Sequence, residues 1–399
     1  MEWEERKLSE ICSQIFAGGD VPKSNLSKFK TEKYSVPIYA NGEKNKGLYG
    51  YTDIEKVTTP SMTVSARGTI GYSEIRWEPF YPVVRLIVLT PDLEIVGLEF
   101  LKYILASIDF KNSGSSIPQL TVPMIKGYTC SLPSLDEQTR IITILDQTFA
   151  DLEQARIKTE QNLKSARELF DSYLQKVFSQ LPEHGNQKTL GQISTRVSVG
   201  HVGSTSKFYC DSDVGVPFLR SQNVRPYGIK IEGVKHITWK FHKSLKKSTL
   251  ESGDLLFVRV GANRGDCCAL RDFEGELNCA NIVFARPRGH SIDYLEHFCN
   301  STIGQEELLG MSTGSAQGVI NTKSVAQLRI PLPPPEVQLN LVRKINQVKK
   351  ETERLEATYR SKIIALNELK KAILQKAFSG ELTKDNKGVV ALANATLLY

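Results

Sequence analysis

Two glycine-rich segments in the first third of the chain carry side chains suited to binding a polyanion. Residues 39–52 have the sequence YANGEKNKGLYGYT, and residues 65–71 have the sequence SARGTIG. Side-chain cations and amides bond to phosphates and to base edges in DNA, and glycine lets a backbone approach a phosphate closely. The candidate DNA-binding residues here are Asn41, Lys44, Lys46, Tyr49, Tyr51, Ser65, Arg67 and Thr69. Among them, Arg67 has the planar fork that can bond to both acceptors of a guanine.

A second set of similar side chains lies in the other half of the chain. Residues 216–229 have the sequence VPFLRSQNVRPYGI, and residues 258–265 have the sequence VRVGANRG. The candidates for the same chemistry are Arg220, Gln222, Asn223, Arg225, Tyr227, Arg259, Asn263 and Arg264. The alternative interpretation is that these are ordinary solvated loop residues, so the prediction concerns each loop as a group.

An internal repeat relates the two halves of the chain. Residues 113–138 resemble residues 313–338 at an offset of 200 without a gap, and the offset holds to LQKVFSQ from Leu174 and LQKAFSG from Leu374. The turns at residues 114–115 and 314–315, with Gln119 and Gln317, are repeat-equivalent and are interpreted as structural. Two copies of one plan predict two similar binding sites.

Upstream, the offset between the copies becomes smaller. It is 182 between KLSEICSQI from Lys7 and TLGQISTRV from Thr189, and 193 between Gly68 and Gly261. The variable part of the second copy therefore contains about 18 extra residues.

Each copy ends in a segment that the sequence predicts to be a long helix. Residues 137–179 and 336–379 contain neither proline nor glycine, and acidic residues lie near the start of each, where the helix dipole favours them. Apolar residues alternate at spacings of four and three, as in coiled coils, with an interruption at Arg156 and Thr159. The predicted seam residues are Leu145, Phe149, Leu152, Leu163, Ala166, Phe170, Tyr173, Val177, Leu341, Ile345, Val348, Leu355, Tyr359, Leu366, Leu369 and Ile373. Because the first helix leads from one head to the other and the second leads back, the pair should be antiparallel.

These elements predict an α+β fold in which two pseudo-repeated α/β heads are separated by two long antiparallel coiled-coil helices. Within each head, short β-type runs such as VVRLIVLTP and ANIVFARP precede one short helix. The predicted boundaries are 1–133 for the first head, 134–180 for the first long helix, 181–334 for the second head, 335–380 for the second long helix and 381–399 for a tail without an assigned role.

The positive charge of the chain is unevenly distributed. The formal net charge is +7 at pH 7, yet residues 1–133 balance 15 basic against 15 acidic side chains. Residues 181–334 have 18 basic and 14 acidic side chains. A modest excess in the second half suits a polyanionic partner but does not by itself distinguish one.

The duplicated plan resembles the specificity subunit of type I restriction–modification systems. The helix entries SLPSLDEQ (131–138) and IPLPPPEVQ (330–338) and the helix ends LQKVFSQ and LQKAFSGEL carry the resemblance. The segments YANGEKNKGLYGYT, SARGTIG and VPFLRSQNVRPYGI are similar to the recognition-domain segments of that family. One departure is Val337, where the first copy has Glu137.

The resemblance implies that the heads are target-recognition domains, each reading one half of a bipartite target in double-stranded DNA. The helices would set the spacer between the halves and dock two methyltransferase subunits. Endonuclease or translocase subunits would join in the full complex. Adenine methylation would be performed by the partner, so the resemblance implies a non-catalytic subunit without a cofactor.

The motifs of such partner enzymes are missing from the sequence. It has no N-P-P-Y or D-P-P-Y tetrad of an adenine methyltransferase, no G-x-x-x-x-G-K-[ST] phosphate loop and no H-E-x-x-H zinc motif. The seven cysteines show no C-x-x-C spacing, which predicts buried core thiols rather than a metal site or a disulfide framework. Without a secretory signal or an apolar run of membrane-spanning length, the chain is expected to be cytoplasmic and to have no membrane partner.

Two other functions remain open from the sequence. The chain could be a coiled-coil scaffold or adaptor that does not bind DNA, which the balanced charge of the first head allows. It could also be a nuclease or methylase with an unfamiliar active site. On the long helices, cations such as Lys349, Arg354 and Lys370 are expected on a solvated face, with contacts to the DNA backbone or to acidic partner helices as the alternative.

Overall fold

The computed structural model describes residues 3–110, 119–181, 187–310 and 318–383. The chain divides into two compact units, Met1–Glu160 with Ser361–Tyr399 and Gln161–Arg360. The predicted α+β class with two repeated heads and two long helices is confirmed. The turns at 114–115 and 314–315, Gln317 and most of the tail lie outside the described residues.

Helices and strands follow the order expected from the repeat. The helices are α1 (Leu8–Ile11), α2 (Leu98–Ser107), α3 (Val122–Gly127), α4 (Leu135–Ser179), α5 (Trp239–Ser244), α6 (Ile292–Asn300), α7 (Thr302–Gly310), α8 (Thr322–Gln327) and α9 (Pro335–Phe378). The strands of the first head are β1 (Glu4–Lys7), β2 (Cys12–Ala17), β3 (Val36–Tyr39), β4 (Leu48–Thr52), β5 (Ser61–Val64), β6 (Ser73–Arg76), β7 (Tyr81–Pro82), β8 (Ile87–Pro91) and β9 (Thr129–Leu132).

In the described ranges, the second head has more strands than the first. They are β10 (Gln187–Thr189), β11 (Ser194–Val199), β12 (Tyr209–Cys210), β13 (Val216–Arg220), β14 (Val224–Arg225), β15 (Gly228–Ile229), β16 (Lys235–Ile237), β17 (Thr249–Leu250), β18 (Leu255–Val258), β19 (Cys267–Ala269), β20 (Leu277–Ala280), β21 (Ile282–Pro287) and β22 (Arg329–Pro331).

The first head is built on two sheets, with strand orders β2-β8-β5-β6 and β4-β3-β7. Successive residues of a strand point to opposite faces, so β8 contributes to two cores. Ile87 and Leu89 pack into the main core with α2, whereas Val88 packs with Val57 and Phe80. The pair β1–β9 closes the head immediately before α4 begins.

The second head repeats this topology. Its sheets have the orders β11-β21-β18-β19 and β12-β16-β13-β20-β17, and β13–β20 is parallel like β3–β7. The edge strands β12 and β17 correspond to single bridges in the first head, Ser27 with Tyr51 and Val57 with Phe80. Two connections of the second copy, residues 221–234 and 238–248, are longer than their counterparts in the first head, residues 40–47 and 53–56.

Within each unit, the two long helices pack in antiparallel orientation. In the first unit, Leu152 of α4 shares a core cluster with Leu366 of α9, and in the second unit Leu174 shares one with Val342. On both helices, the residues that face inward recur at intervals of seven. They are Leu145, Leu152, Thr159, Ala166 and Tyr173 on α4 and Ile345, Thr352, Tyr359, Leu366 and Ile373 on α9. The predicted antiparallel pairing is confirmed.

The predicted seam is wrong at two positions. Leu355 is 39% exposed, and its place inside is taken by Thr352, whose hydroxyl donates to the Lys349 carbonyl at 2.8 Å. Thr159 does not interrupt the seam but lies within it, because its hydroxyl donates to the Ala155 carbonyl at 2.6 Å. A threonine that satisfies its hydroxyl on its own helix can be buried at little cost, and apolarity alone does not reveal such a position.

A buried glutamine begins each long helix. Gln138 donates through Nε2 to the Pro133 carbonyl at 3.1 Å, and Gln338 donates to the Pro333 carbonyl at 2.8 Å. Both side chains are almost fully buried. The shared entry motif therefore places the same buried contact at both helix starts, and the departure at Val337 lies outside it, since Val337 is 42% exposed.

All seven cysteines are free thiols, and five of them are buried, as predicted. In the four described ranges, no group of three or more His, Cys, Asp or Glu residues is placed to hold a metal ion. A search of the same ranges finds no helix with the length and apolarity needed to cross a membrane.

Candidate nucleic-acid interface

In the first head, the two glycine-rich segments form one surface. Asn41 accepts a hydrogen bond from the Ala66 amide at 2.7 Å, and the Ser65 hydroxyl accepts one from the Gly42 amide at 3.0 Å. The Asn41 amide also donates to the Val84 carbonyl at 2.7 Å. Asn41 and Ser65 therefore join the connection after β3 to the turn between β5 and β6.

The candidate residues that are exposed on this surface are cationic or aromatic, with one threonine. They are Lys44, Lys46, Tyr49, Arg67 and Thr69. Arg67 donates from Nη2 to Gln119 Oε1 at 2.6 Å, which positions the guanidinium at the turn. Ser65 is 1% exposed and Tyr51 is half-buried, so the structure gives them a place in the framework of the loops.

A charged network lies beside the first of these loops. Lys46 pairs with Glu74 at 2.8 Å, and the Tyr72 hydroxyl also donates to Glu74. Burial favours the neutral carboxyl, but the bonds from Lys46 and Tyr72 outweigh it and lower the pKa of Glu74. Burial, with the bond to Glu74, raises the pKa of Tyr72 to about 12. Glu74 thus stays charged near neutral pH and neutralises Lys46 locally.

In the second head, the two corresponding loops line a cleft of about 490 Å³. Arg220 ends β13, Gln222 follows it, Arg225 ends β14, and Asn263 comes from the turn between β18 and β19. Arg225 lies 3.3 Å from the Asn263 amide oxygen, once that amide is oriented to accept. Cationic and amide donors therefore converge on one opening, as base and phosphate recognition requires.

Two arginines in this region have a buried donor without a partner in the described part of the chain. These donors are Nε of Arg220 and Nε of Arg259. Arg220 uses Nη2 to hold the Gly233 carbonyl at 3.1 Å, which leaves Nε available. A buried unpaired donor costs roughly 1–3 kcal/mol, so a ligand or water that accepts from it is favoured.

Asn223 and Tyr227 point away from this cleft. Asn223 is fully buried and bonds to the Arg220 amide and the Lys230 carbonyl, both at 3.0 Å, so it holds the β14–β15 hairpin. Tyr227 adopts a positive φ of 65° and places its ring 5.9 Å from that of Phe170 on α4. Burial raises the pKa of Tyr227.

Lys349, expected on a solvated face, instead lies 4.0 Å from the centre of the Tyr227 ring. Its ammonium group is thus engaged with the aromatic face, a cation–π contact. The loop that supplies Arg225 is thereby connected to the long helices within the second unit.

The turns of the two heads are equivalent in backbone but not in side chains. Gly68 and Gly261 both have positive φ, at 73° and 93°. The Leu120 amide donates to the Ala66 carbonyl at 3.0 Å, and the Ile320 amide donates to the Arg259 carbonyl at 3.1 Å. Arg259 therefore occupies the position of Ala66, and Arg67 has no arginine at its equivalent position.

Arg264 also braces its turn. It donates from Nη1 to the Gly318 carbonyl, just as Arg67 reaches Gln119 in the first head. Both turns are thereby fixed to the segment that precedes the short helices α3 and α8.

Further basic residues lie on exposed parts of the heads, outside the glycine-rich segments that the sequence analysis identified. They are Lys23, Lys28, Lys30 and Lys33 in the first head and Lys207, Lys240, Lys243, Lys246 and Lys247 in the second. The first group surrounds Phe29, which is 78% exposed, on a segment held to β4 by the bridge between Ser27 and Tyr51. Lysine density with few acidic neighbours was the signal that could have identified both groups.

Comparisons with known proteins agree with this architecture. Residues 1–161 match the family model of the type I restriction modification DNA specificity domain. A Mycoplasma pneumoniae protein named as a type I specificity subunit is 39% identical over 152 residues, which are 37% of this chain and 45% of that relative. The C-terminal part of another such protein from the same organism is 41% identical over 100 residues, covering 25% of this chain and 68% of that relative.

The chain belongs to the specificity-subunit family of type I restriction–modification systems. The chain covers 45% of the first M. pneumoniae relative and 40% of a further specificity subunit from the same organism, which is less than half the length of each. A solved structure from a study of complex assembly and conformational transition of the type I system has the same fold, with a TM-score of 0.75 at 20% identity. That similarity covers 96% of this chain and 98% of the other. The second head lies beyond the residues matched by the family model but repeats the topology of the first.

Proposed function

We propose that this specificity subunit reads a bipartite target in double-stranded DNA, with one half-site for each head. The observation that carries the proposal is that each head brings a polar loop and a glycine-containing turn together on one surface. In the first head Asn41 and Ser65 make the connection, and in the second Arg225 and Asn263 meet at the cleft. Two copies of such a surface suit two half-sites better than one contiguous site.

Within these surfaces, we assign contact with DNA first to the cations and amides that are exposed or that line the cleft. In the first head these are Lys44 and Arg67, and in the second they are Arg220, Gln222 and Asn263. Ser65, Asn223 and Tyr227 are assigned to the support of the loops, since their side chains are buried or directed into the protein. Bases are read in the major groove by such forks and amides, whereas lysines mainly hold phosphates.

The long helices are proposed to set the spacer and to dock two methyltransferase subunits. Large apolar side chains on them are exposed, namely Ile157, Leu169, Leu355 and Ile364. Exposed apolar side chains on a helix surface favour a protein partner. Under this proposal the chain contributes no catalytic group, acts in the cytoplasm, and leaves methylation and cleavage to its partners.

The proposal can be tested with the subunit assembled with its methyltransferase. The complex is incubated with a pool of randomised duplex DNA, and the bound duplexes are sequenced. We expect two short constant blocks separated by a spacer of fixed length and variable sequence. The control is the methyltransferase without this chain, which should enrich nothing.

The scaffold alternative predicts a different outcome of the same experiment. If the chain joined the complex but the pool were not enriched, it would be an adaptor without DNA specificity. If purified chain alone modified DNA, its assignment as a non-catalytic subunit would be wrong.

A further inference from the structure

A lysine-rich insertion distinguishes the second head from the first. Between Glu232 and Glu251 the sequence contains five lysines and no acidic residue. Residues 239–248, which comprise α5 and the turn after it, are called the lysine platform here. Its exposed cations are Lys240, Lys243, Lys246 and Lys247. The equivalent connection of the first head, residues 53–56, has the sequence DIEK, with two acidic residues and one lysine.

The backbone of the platform is fixed at its start. The Thr238 hydroxyl caps α5 by accepting from the Phe241 amide at 3.4 Å. The Phe241 ring stacks on that of Phe208, with centroids 3.7 Å apart and planes 10° apart. His242 is buried and contacts Glu276 at 3.2 Å. The buried face of this short helix is thus occupied, and its lysines lie on the solvent side.

The end of the platform is fixed as well. Arg196 donates from Nη2 to the Lys247 carbonyl at 2.7 Å, and the Ser198 hydroxyl donates to the same carbonyl at 2.9 Å. Both donors belong to β11, a strand of the four-stranded sheet. The ammonium groups therefore extend from a backbone that is held in place. In the described ranges, none of the four lysines forms an ion pair with a carboxylate.

The platform is continuous with the cleft of the second head. Thr205 and Tyr209 line the cleft, and their hydroxyls are hydrogen bonded at 2.7 Å. The neighbouring Phe208 carries the stacked ring of α5, and the Nζ of Lys207 lies 5.0 Å from the Phe208 centroid. A basic surface thus extends from the cleft through Lys207 to the platform.

We propose that the lysine platform binds the phosphate backbone of duplex DNA flanking the half-site of the second head. This inference rests on the proposed function. Lysine is a flexible point charge that contacts phosphates without reading sequence, and the exposed face of the platform carries no asparagine, glutamine or arginine for base edges. The platform therefore adds affinity and not specificity. The first head has DIEK at this place and therefore lacks this set of phosphate contacts.

The test uses the full chain assembled with its methyltransferase and a duplex containing the selected target. In one variant the four platform lysines are changed to glutamine, and in the matched control they are changed to arginine. Affinity is measured between roughly 50 and 200 mM salt, because each phosphate contact contributes about 0.9 to the slope of log K against log salt. In the glutamine variant, we expect the magnitude of this slope to decrease by about 2–4. In the arginine variant, we expect the slope to be unchanged.

Footprinting of the same complexes gives a second readout. In the glutamine variant, we expect the protected stretch of DNA that flanks the second half-site to become shorter. The stretch that flanks the first half-site and the target sequence that the complex selects should be unchanged. An unchanged slope and footprint would contradict phosphate binding by the platform without contradicting the proposed DNA recognition. Failure of the unmodified complex to bind any duplex would overturn the proposed function and the platform together. In a paired variant, Lys240→Gln with Lys243→Gln, the slope should decrease by about half as much as in the fourfold variant. This variant keeps the test valid if the fourfold variant does not fold.

Discussion

The two heads satisfy the same buried polar position with different chemistry. In the first head, Ser61 and Thr90 share a hydroxyl–hydroxyl bond of 2.8 Å between β5 and β8. In the second head the corresponding neighbours are Asp254 and Arg286, joined by bonds of 2.7 and 2.9 Å. Both pairs flank equivalent registers of the central strands. The fold thus requires that the position be satisfied, but it does not require a particular residue type.

The contact between each head and its long helix differs in a similar way. In the first head the Tyr103 hydroxyl donates to Asp146 on α4. In the second, His297 Nε2 lies 2.9 Å from Asn346 Oδ1 on α9, at the repeat-equivalent place. The buried contact of the second head therefore contains an imidazole, whose ordinary pKa lies near neutral pH. Stability and pH dependence should therefore differ between heads of equal topology.

The largest difference is expected from Arg286→Met. This change leaves Asp254, which is fully buried, without its cation, and losing one partner of a buried ion pair costs about 3–5 kcal/mol. Ser61→Ala, at the equivalent place in the first head, should cost about 1 kcal/mol, because one neutral hydrogen bond is lost. Amide hydrogen exchange of β18 and β5 reports the free energy of opening of each head separately.

A double variant tests whether the two buried pairs occupy equivalent positions. Asp254→Ser with Arg286→Thr installs the hydroxyl pair of the first head and should be less destabilising than Arg286→Met alone. If the double variant were the more unstable protein, the two positions would not be equivalent.

The next effect is a pH dependence that His297 adds to the second head. Burial lowers the pKa of His297 to about 4, from an ordinary value near 6.5. Since the unfolded state binds this proton more readily, the free energy of unfolding should fall by about 3 kcal/mol as pH decreases from 6.5 to 4. His297→Gln keeps an amide that can bond to Asn346 and should remove most of this fall.

Hydrogen exchange across this pH range, with the first head as internal reference, measures the effect. An identical pH dependence in the variant and the unmodified chain would show that His297 does not titrate as its burial predicts.

The smallest effects concern recognition. Arg67→Ala should weaken discrimination at the first half-site by about 1–3 kcal/mol, and Arg220→Ala should do so at the second, because each removes one potential fork to a base. Affinities for duplexes altered in one half-site at a time separate the two. If either variant relaxed both half-sites equally, one head could not be assigned to one half-site.

The architecture was accessible from sequence because repeats and periodicity are strong signals. The 200-residue offset and the long segments without proline and glycine predict the duplicated heads and the antiparallel helices. The seam residues Thr159 and Thr352 were not accessible in this way, since their burial depends on hydroxyl bonds to their own helix.

For the candidate interface, sequence identified the loops better than the individual residues. Asn223 and Tyr227 belong to the predicted loop, yet tertiary packing and the positive φ of Tyr227 direct their side chains inward. The lysine platform was missed because it contains no glycine and forms a helical insertion. Its place beside the cleft follows from the stacking of Phe241 on Phe208, which no local pattern predicts.

The most direct test of DNA reading by the two heads is to sequence the methylated sites in DNA from cells that express this chain with the methyltransferase subunit of its system. Cells that express the methyltransferase without this chain are the control. We expect a split, adenine-methylated motif that appears with this chain and is absent without it. Methylation that is absent or unchanged, although the complex assembles, would contradict DNA reading by the two heads.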